Sequence, residues 1–447
     1  MGSEWDIIVA GAGPAGCVLA AKVAASGAKV LLLEKEASIG ENRDWVVDVE
    51  QSAFQSAGVP TPEGASKWIH PARTILVSPD GQQEIEELHA PVVPVRNGMY
   101  VRQLASWAKS EGAILRTSCA VTGPVVKGGA VTGVHVSGSG GEEEFTAKLI
   151  ADCTGIGGAV RRGTPPEWGL AGEVFDSDIV LARREVRQVA DCESASSGQD
   201  CCMRDGLRID RPGFAGAYSV ETCHLSLRDG TVDVLVGVKP EAGIHPEERV
   251  AERFLRAGFA GELIFGGGAA IPIRRTWDSL VGNGLLVLGD SACQTIPAHG
   301  SGTASALIAA STAAQTAIRA IREGDSRAQS LWEYCHRFQS SRGALLAYYD
   351  VMRKHSEELT AADLNRLIAR GLLGSREIYS GLVPEPFEPT PLELMGKLGR
   401  GARASRLILG FARAGLLARK VMSHYRNYPR RYDPHALKEW SRSIPRY

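Results

Sequence analysis

The chain has 447 residues, of which 44% are hydrophobic and 23% are charged, and its formal net charge is −1. This composition is ordinary for a globular protein with a core of normal size. The net charge excludes a global field that would attract nucleic acid or a membrane. The longest small and apolar run, Gly302–Ala320, is interrupted by Ser, Thr, Gln and Arg. It therefore indicates a helix packed closely against a sheet, rather than a membrane span of about 20 apolar residues.

The nine cysteines indicate reduced thiols in a cytoplasmic protein. Residues 1–4 lead directly into a strand with no signal peptide before it. No C-x-x-C pair is present, so we expect no metal site. The one cluster, Cys201-Cys202 with Cys192 nearby, is interpreted as buried or loop thiols in preference to a redox or metal centre.

The N-terminal segment has the pattern of a dinucleotide-binding unit. A short apolar strand, Asp6–Ala10, runs into the glycine loop GAGPAG at Gly11–Gly16, and an Ala-rich helix follows to about Ser26. A second strand, Lys29–Leu33, ends at Glu34. The glycines allow a tight turn, close approach of a pyrophosphate and close helix–strand packing, while the acid can accept from ribose hydroxyls. NAD and FAD both satisfy this pattern.

Three later segments favour FAD. The first is Gly98–Leu104, which opens a helix, and the second is the strand Ala147–Asp152 followed by Cys153-Thr154-Gly155. In the third, an apolar strand delivers Asp290 to the edge of the sheet, and Gly300–Thr303 opens a helix. A carboxylate there can hold ribityl hydroxyls, and the helix amides can meet the negative charge of reduced flavin.

This set of motifs resembles the FAD-binding domain shared by aromatic hydroxylases, flavin halogenases and geranylgeranyl reductases. The resemblance narrows to the archaeal geranylgeranyl reductase branch through the segments Gly267–Arg275, Trp277, Val281–Gly284, Pro297–Gly302 and the turn Asn427–Arg430. It spans essentially the whole chain. It implies an α/β fold with a Rossmann-type FAD-binding domain, an antiparallel substrate sheet and a C-terminal helical extension.

The chain departs from that branch at two places. The family's Cys-Gly pair, which is tied to its catalysis, is absent from the loop Gly40–Asp48. Of the family's aromatic stretch lining a lipid tunnel, only Tyr218 survives within Gly216–Glu221. The halogenases' tryptophan motif is also absent. We therefore expect FAD and a substrate that is smaller or more polar than a full geranylgeranyl lipid.

The resemblance and the loop chemistry assign a set of residues to FAD. They are Gly11, Gly13, Pro14, Ala15, Gly16, Glu34, Lys35, Arg43, Arg102, Gly155, Gly289, Asp290, Pro297, Gly300, Ser301, Gly302 and Thr303. Arg43 can pair with a flavin phosphate or remain a solvated loop charge.

Protonation of a reduced double bond needs an acid near the flavin. His299 precedes the flavin-facing glycines and is the first candidate, although it can equally serve to hydrogen-bond the loop. Tyr218, on the covering sheet, is a second donor candidate or a core residue. Asp44 and Asp48 occupy the loop where the family's cysteine would stand, as acid or base or in salt bridges.

The predicted domains are interleaved along the chain. We expect a discontinuous FAD-binding domain at 1–75, 98–165 and 275–335, a substrate sheet at 76–97 and 166–274, and a helical region at 336–447. Within them, Ala120–Ile150 indicates a three-strand meander, and the Asp229-Gly230 pair indicates a hairpin turn.

The segment Gly396–Arg431 holds ten Lys or Arg and no acid. It fits a docked helix pair with a solvated basic face, which we favour, or a peripheral surface for anionic lipid.

The most direct interpretation is an FAD-dependent oxidoreductase acting on C–C or C=C bonds of an apolar isoprenoid or lipid-like substrate. The alternatives are an FAD-dependent monooxygenase on the same fold and a non-catalytic or electron-transfer flavoprotein. Since no second nucleotide fingerprint is present, electrons would come from transiently bound NAD(P)H, a ferredoxin or a quinone.

Overall fold

The structure is a computed structural model that describes residues 5–69, 71, 73–86, 91–138, 140–192, 195, 203–216, 218–374, 385–386 and 405–446. The pair Cys201-Cys202 and the residues 396–404 of the basic segment lie outside the described residues.

The described strands and helices, in chain order, fall into two large sheets with helices around them. The strands are β1 (Trp5–Ala10), β2 (Val30–Leu33), β3 (Val46–Glu50), β4 (Arg73–Val77), β5 (Glu84–Glu86), β6 (Val92–Arg96), β7 (Ile114–Arg116), β8 (Cys119–Lys127), β9 (Ala130–Gly138), β10 (Gly141–Asp152), β11 (Ile179–Val189), β12 (Leu207–Pro212), β13 (Ser219–Ser226), β14 (Thr231–Val238), β15 (Ala260–Pro272), β16 (Val281–Gly282) and β17 (Leu285–Val287). The helices are α1 (Pro14–Ala24), α2 (Gln51–Ala57), α3 (Asn97–Ser110), α4 (Pro246–Ala257), α5 (Thr303–Glu323), α6 (Ala328–Phe338), α7 (Ala344–Ser356), α8 (Ala361–Ala369), α9 (Ser405–Arg426) and α10 (Pro434–Arg442).

The first sheet positions the nucleotide motif. Its strand order is β16-β17-β10-β1-β2-β7, and β1, β2, β7, β10 and β17 are joined as parallel pairs. Strands β2 and β17 are entirely buried, as expected for parallel strands covered on both faces. The antiparallel meander β8-β9-β10 extends from this sheet, which confirms the three-strand prediction.

Helix α5 packs mainly against α1, and it also contacts α2, α6, β3 and β10, so the expected packing against a sheet is present but secondary. Alanines dominate the buried faces of both helices. Small side chains allow two helix backbones to approach closely, and here they allow α5 to pack closely against α1.

The second sheet has seven strands in the order β15-β11-β14-β13-β12-β4-β5. The β13–β14 hairpin turns at Asp229-Gly230, where Gly230 has φ +63°. Strands β4 and β5 join this sheet, but β6 pairs with β3 in a separate two-stranded ribbon. Pro94 of β6 lies opposite Asp48 there, and such a ribbon tolerates a proline that cannot donate to a sheet ladder.

The described residues form two main cores. The larger joins the first sheet, α1, α3 and α5 to the C-terminal helices α6, α7, α9 and α10, with Trp332, Tyr428 and Trp440 among its buried aromatic residues. The smaller lies between the second sheet and α4. The opposite face of the second sheet approaches β3 and the loop before α5, and the candidate site lies there.

Candidate flavin site

The glycine loop between β1 and α1 leaves room above one of its glycines. A Cβ atom at Gly11 would lie 2.3 Å from the Cys153 carbonyl oxygen, and one at Gly16 would lie 1.9 Å from the Gly11 carbonyl oxygen. A Cβ at Gly13 would meet only Arg43 Nη1, at 3.6 Å. Packing within the protein therefore requires glycine at 11 and 16. At Gly13 the protein leaves a cradle of the kind that a pyrophosphate occupies.

Glu34, at the end of β2, is fixed at the edge of this cradle. Its carboxylate accepts from Ala12 N at 2.8 Å and from Glu36 N at 3.1 Å. A carboxylate held at this place suits ribose hydroxyls. The next residue, Lys35, is exposed and pairs with Glu36 at 3.5 Å, so its side chain is turned to solvent.

Arg43 lies over the cradle. Its guanidinium nitrogens lie 3.6 Å and 3.5 Å from the positions that Cβ atoms at Gly13 and Gly155 would take. The loop carrying Gly155 is organised by Asp152, whose carboxylate accepts from Val160 N and Arg161 N at 3.1 and 2.7 Å. The cation and the two glycines together fit a diphosphate. The strand Ala147–Asp152 was recognised in the sequence, but Asp152 was given no role, although an acid at the end of a buried strand was a usable signal.

Asp290 follows β17 in a short 3-10 turn, with Gly289 at φ +67° before it. Burial raises the pKa of Asp290, and the charge of Arg43 opposes that rise. Oδ1 of Asp290 lies 3.3 Å from where a Cβ at Gly302 would stand. The structure thus brings the acid to the start of α5, as the spacing predicted, and leaves it where hydroxyl donors could satisfy it.

The loop before α5 is held by its own backbone. Gly300 has φ +75° and donates to Ile296 O at 2.8 Å, while Gly302 caps the helix that begins at Thr303. The Ser301 hydroxyl donates to Asp48 O at 3.0 Å and so joins this loop to β3. Pro297 precedes them, and its carbonyl oxygen accepts from the Tyr218 hydroxyl.

Among the four acid–base candidates, His299 and Asp48 lie close together. The Nδ1 atom of His299 accepts from Ser301 N at 3.2 Å, so Nε2 carries the proton of the neutral ring. Burial disfavours the charged form of Asp48, yet Arg208, Arg184 and His299 together hold its pKa below the usual value. Arg208 Nη1 donates to Asp48 at 2.6 Å. Asp48 is accordingly a carboxylate near neutral pH.

The other two candidates are engaged elsewhere. Both carboxylate oxygens of Asp44 accept from Arg96, at 2.9 and 2.6 Å. Burial raises the pKa of Tyr218, whose hydroxyl donates to the loop. Arg102, on α3, donates to Ile39 O at 2.8 Å and holds the loop that carries Arg43. These four side chains support the site's walls and loops.

A polar strip crosses the second sheet and was not predicted from the sequence. Arg184 of β11 donates to both oxygens of Asp233 at 2.8 and 2.6 Å, and both side chains are buried. His224 lies between Asp233 and Arg208 in the strand register. Arg184 also donates to Val46 O of β3 at 2.8 Å, which brings the strip against the strand that carries Asp48. Arg184 and Asp233 are 49 residues apart in sequence, and Arg208 and Asp48 are 160 apart. A single sequence gives no sign that such distant residues pair.

The chain is similar in sequence to known flavin-dependent enzymes. Residues 6–174 match the family model described as FAD dependent oxidoreductase. The chain is 26% identical over 466 aligned residues to a digeranylgeranylglycerophospholipid reductase from Sulfolobus acidocaldarius, with 99% of this chain and 96% of the relative covered. A digeranylgeranylglycerophospholipid reductase from Methanococcoides burtonii is 25% identical, with 82% and 88% covered.

Solved structures agree on the fold. A geranylgeranyl bacteriochlorophyll reductase-like protein from Thermoplasma acidophilum has a TM-score of 0.69 and 17% identity, covering 92% of this chain and 99% of that one. The flavin-dependent brominase Bmp2 has a TM-score of 0.61 and 14% identity, covering 90% and 99%. With the nucleotide cradle, the family model and the near-full-length relatives in agreement, the chain is an FAD-dependent oxidoreductase that resembles the geranylgeranyl reductases.

Proposed function

We propose that this oxidoreductase adds hydrogen to, or removes it from, carbon–carbon bonds of an isoprenoid or lipid-like substrate. The observation that carries the proposal is the extent of the similarity to the Sulfolobus reductase, which covers 99% of this chain. That coverage includes the second sheet and the C-terminal helices, which take no part in the nucleotide loop. The likeness therefore extends beyond the cofactor-binding part of the chain.

We assign cofactor contacts to the residues that form the cradle and its surroundings. The loop amides at Gly11–Gly16 and Arg43 would hold the pyrophosphate, and Glu34 the ribose. Asp290 would accept from the ribityl chain, and the start of α5 at Gly300–Thr303 would face the flavin ring. When bound, FAD supplies hydride transfer to or from a carbon atom, while the protein provides orientation and protons.

We propose His299 as the proton donor in the reduction. Reducing a double bond places a hydride on one carbon and a proton on the other, and the proton would leave Nε2 of His299 and be replaced from solvent. Asp48 is held ionised by Arg208, and Asp44 is paired with Arg96, so neither is suited to donate a proton.

The polar strip supports a substrate that is smaller or more polar than a full geranylgeranyl lipid. The Arg184–Asp233 pair is buried in the sheet that faces β3, where apolar side chains would suit a long prenyl tail better. We further propose an external electron donor, namely NAD(P)H, a ferredoxin or a quinone, and peripheral contact with a membrane as the source of the substrate.

The test is anaerobic reduction of the bound FAD, followed by rapid mixing with prenyl lipids of increasing length and with quinones. We expect flavin reoxidation by a prenyl substrate, slowed roughly 10²–10⁴-fold in His299→Ala with FAD still bound. The matched control is His135→Ala, since His135 is exposed on β9.

Three outcomes would contradict the proposal. Coupled consumption of O2 and NAD(P)H on adding an aromatic substrate would indicate a monooxygenase. Fast reoxidation by a protein partner or a quinone, with no turnover of any lipid, would indicate electron transfer. Unchanged prenyl turnover in His299→Ala would remove His299 from the proton-donor role.

A further inference from the structure

The outward face of α9 combines basic and large apolar side chains. Arg406, Leu409, Arg413, Leu416 and Lys420 are exposed, at spacings of three and four residues. Leu409 is 51% exposed and Leu416 is 59% exposed. Residues at these spacings lie along one side of a helix, so they form a continuous stripe, which we call the α9 stripe. It is about 20 Å long at 1.5 Å per residue.

The core does not require the two exposed leucines. The opposite side of α9 packs against α7, where Phe411 contacts His355 with ring centroids 4.8 Å apart. Ala414, Ala418 and Val421 are buried on that inner side. Helix α9 therefore already has a complete inward face, and the α9 stripe is a second, separate apolar feature.

In the stretch of chain that contains the stripe, the charged residues among Lys, Arg, Asp and Glu are all positive. Residues 405–431 contain seven Lys or Arg and no Asp or Glu, although the whole chain has a net charge of −1. Asp363 of α8 acts electrostatically on Arg406, and Glu439 of α10 is a further exposed acid. The basic residues thus form a local patch on a nearly neutral protein, and such a patch attracts an anionic partner at short range.

The position of the stripe connects it with the proposed site. Arg353 of α7, on which α9 packs, donates to Asp178 at 2.9 Å beside the start of β11. The charge of Arg353 also acts on Tyr218, whose hydroxyl holds Pro297. One helix thus separates the α9 stripe from the substrate sheet and the loop of His299.

We propose that the α9 stripe docks on an anionic phospholipid bilayer. Leu409 and Leu416 would enter the boundary between headgroups and acyl chains, while Arg406, Arg413 and Lys420 would contact lipid phosphates. Because the stripe runs along one side of the helix, the contact would lie in the plane of the surface. None of the described helices is long and apolar enough to cross a membrane. The purpose of docking, namely access to a lipid-like substrate, rests on the proposed function.

The test measures flotation of the full-length, FAD-loaded protein with two kinds of vesicle. One kind is pure phosphatidylcholine, and the other contains equal parts of phosphatidylcholine and phosphatidylglycerol. We expect at least roughly tenfold stronger binding to the anionic vesicles, weakening as salt is added. The double variants Leu409→Glu/Leu416→Glu and Arg413→Glu/Lys420→Glu should each lose roughly tenfold or more of that binding. The control Leu255→Glu, at a residue 82% exposed on α4, should bind as wild type.

Separate readouts distinguish failure of docking from failure of the proposed function. Equal binding to both vesicles, or unchanged binding in the leucine variant, would overturn the docking proposal. If wild type and the leucine variant bind heparin equally well and neither binds vesicles, the docking proposal is overturned in favour of a soluble anionic partner. Retained turnover of a detergent-dispersed prenyl substrate by a leucine variant that no longer floats would support docking. Vesicle binding without any prenyl turnover would leave docking supported and would refute the proposed substrate.

Discussion

A Gly13→Ala substitution tests the nucleotide cradle, because it adds a methyl group where the protein itself leaves room. Gly13 has φ −76° and ψ −176°, which any residue adopts. The new Cβ would meet only the exposed side chain of Arg43, at 3.6 Å, an ordinary van der Waals distance. The folded apoprotein should therefore lose no more than about 1 kcal/mol, the cost of alanine at a helix N-cap.

FAD binding should suffer much more. The methyl group would stand where the pyrophosphate approaches the loop, and each lost charge-assisted hydrogen bond is worth about 1.5–3 kcal/mol. Loss of one such bond corresponds to roughly 10–100-fold weaker binding. Gly13→Val, with a larger side chain, should abolish binding. The matched control is Gly16→Ala, whose Cβ would lie 1.9 Å from the Gly11 carbonyl oxygen and should destabilise the fold itself.

The assay is titration of each apoprotein with FAD, together with thermal unfolding of the apoprotein without it. We expect Gly13→Ala to bind FAD more weakly without a loss of fold stability, and Gly16→Ala to lose fold stability. Wild-type FAD affinity in Gly13→Ala would show that the cradle is not the pyrophosphate site. An unfolded Gly13→Ala apoprotein would show that the room at this glycine was misjudged.

Three further substitutions give separable results. Asp290→Asn should weaken FAD binding roughly 10–100-fold. Burial raises the folded pKa of Asp290, so the ionised carboxylate destabilises the wild-type apoprotein increasingly as pH rises through that pKa. The Asp290→Asn apoprotein should therefore unfold at a higher temperature than wild type at neutral pH, and at the same temperature as wild type in acid. Asp48→Asn should cost about 1–3 kcal/mol at neutral pH, since Arg208 loses a carboxylate partner. The folded pKa of Asp48 is lowered, so that difference should vanish as pH falls through it in acid melts. Tyr218→Phe should lower turnover less than tenfold in the rapid-mixing assay, and a loss of 10²-fold or more would identify Tyr218 as the proton donor.

The sequence by itself determined the elements whose contacts are close along the chain. One local unit runs from β1 to Glu34 and consists of a strand, a glycine loop, a helix, a second strand and an acid. Backbone conformation or charge explains each residue type in it. The β13–β14 hairpin depends on one turn, and the β8-β9-β10 meander on two. Local steric rules decide such elements before distant parts of the chain meet. Dinucleotide binding followed from the local unit, whereas the choice of FAD over NAD depended on three later segments and on the family resemblance.

Only the tertiary structure decided which charges meet. Arg208 reaches the Asp48 carboxylate across 160 residues, so the role of that carboxylate could not be read from its neighbours in sequence. Ser301 reaches the main-chain carbonyl of the same residue across 253 residues. The pairing of β6 with β3, and the burial of one side of α9 with its leucine-bearing side left in solvent, also depend on long-range packing. Residue type determines what a side chain can bind, but its protonation and exposure are set by partners that only folding brings within reach.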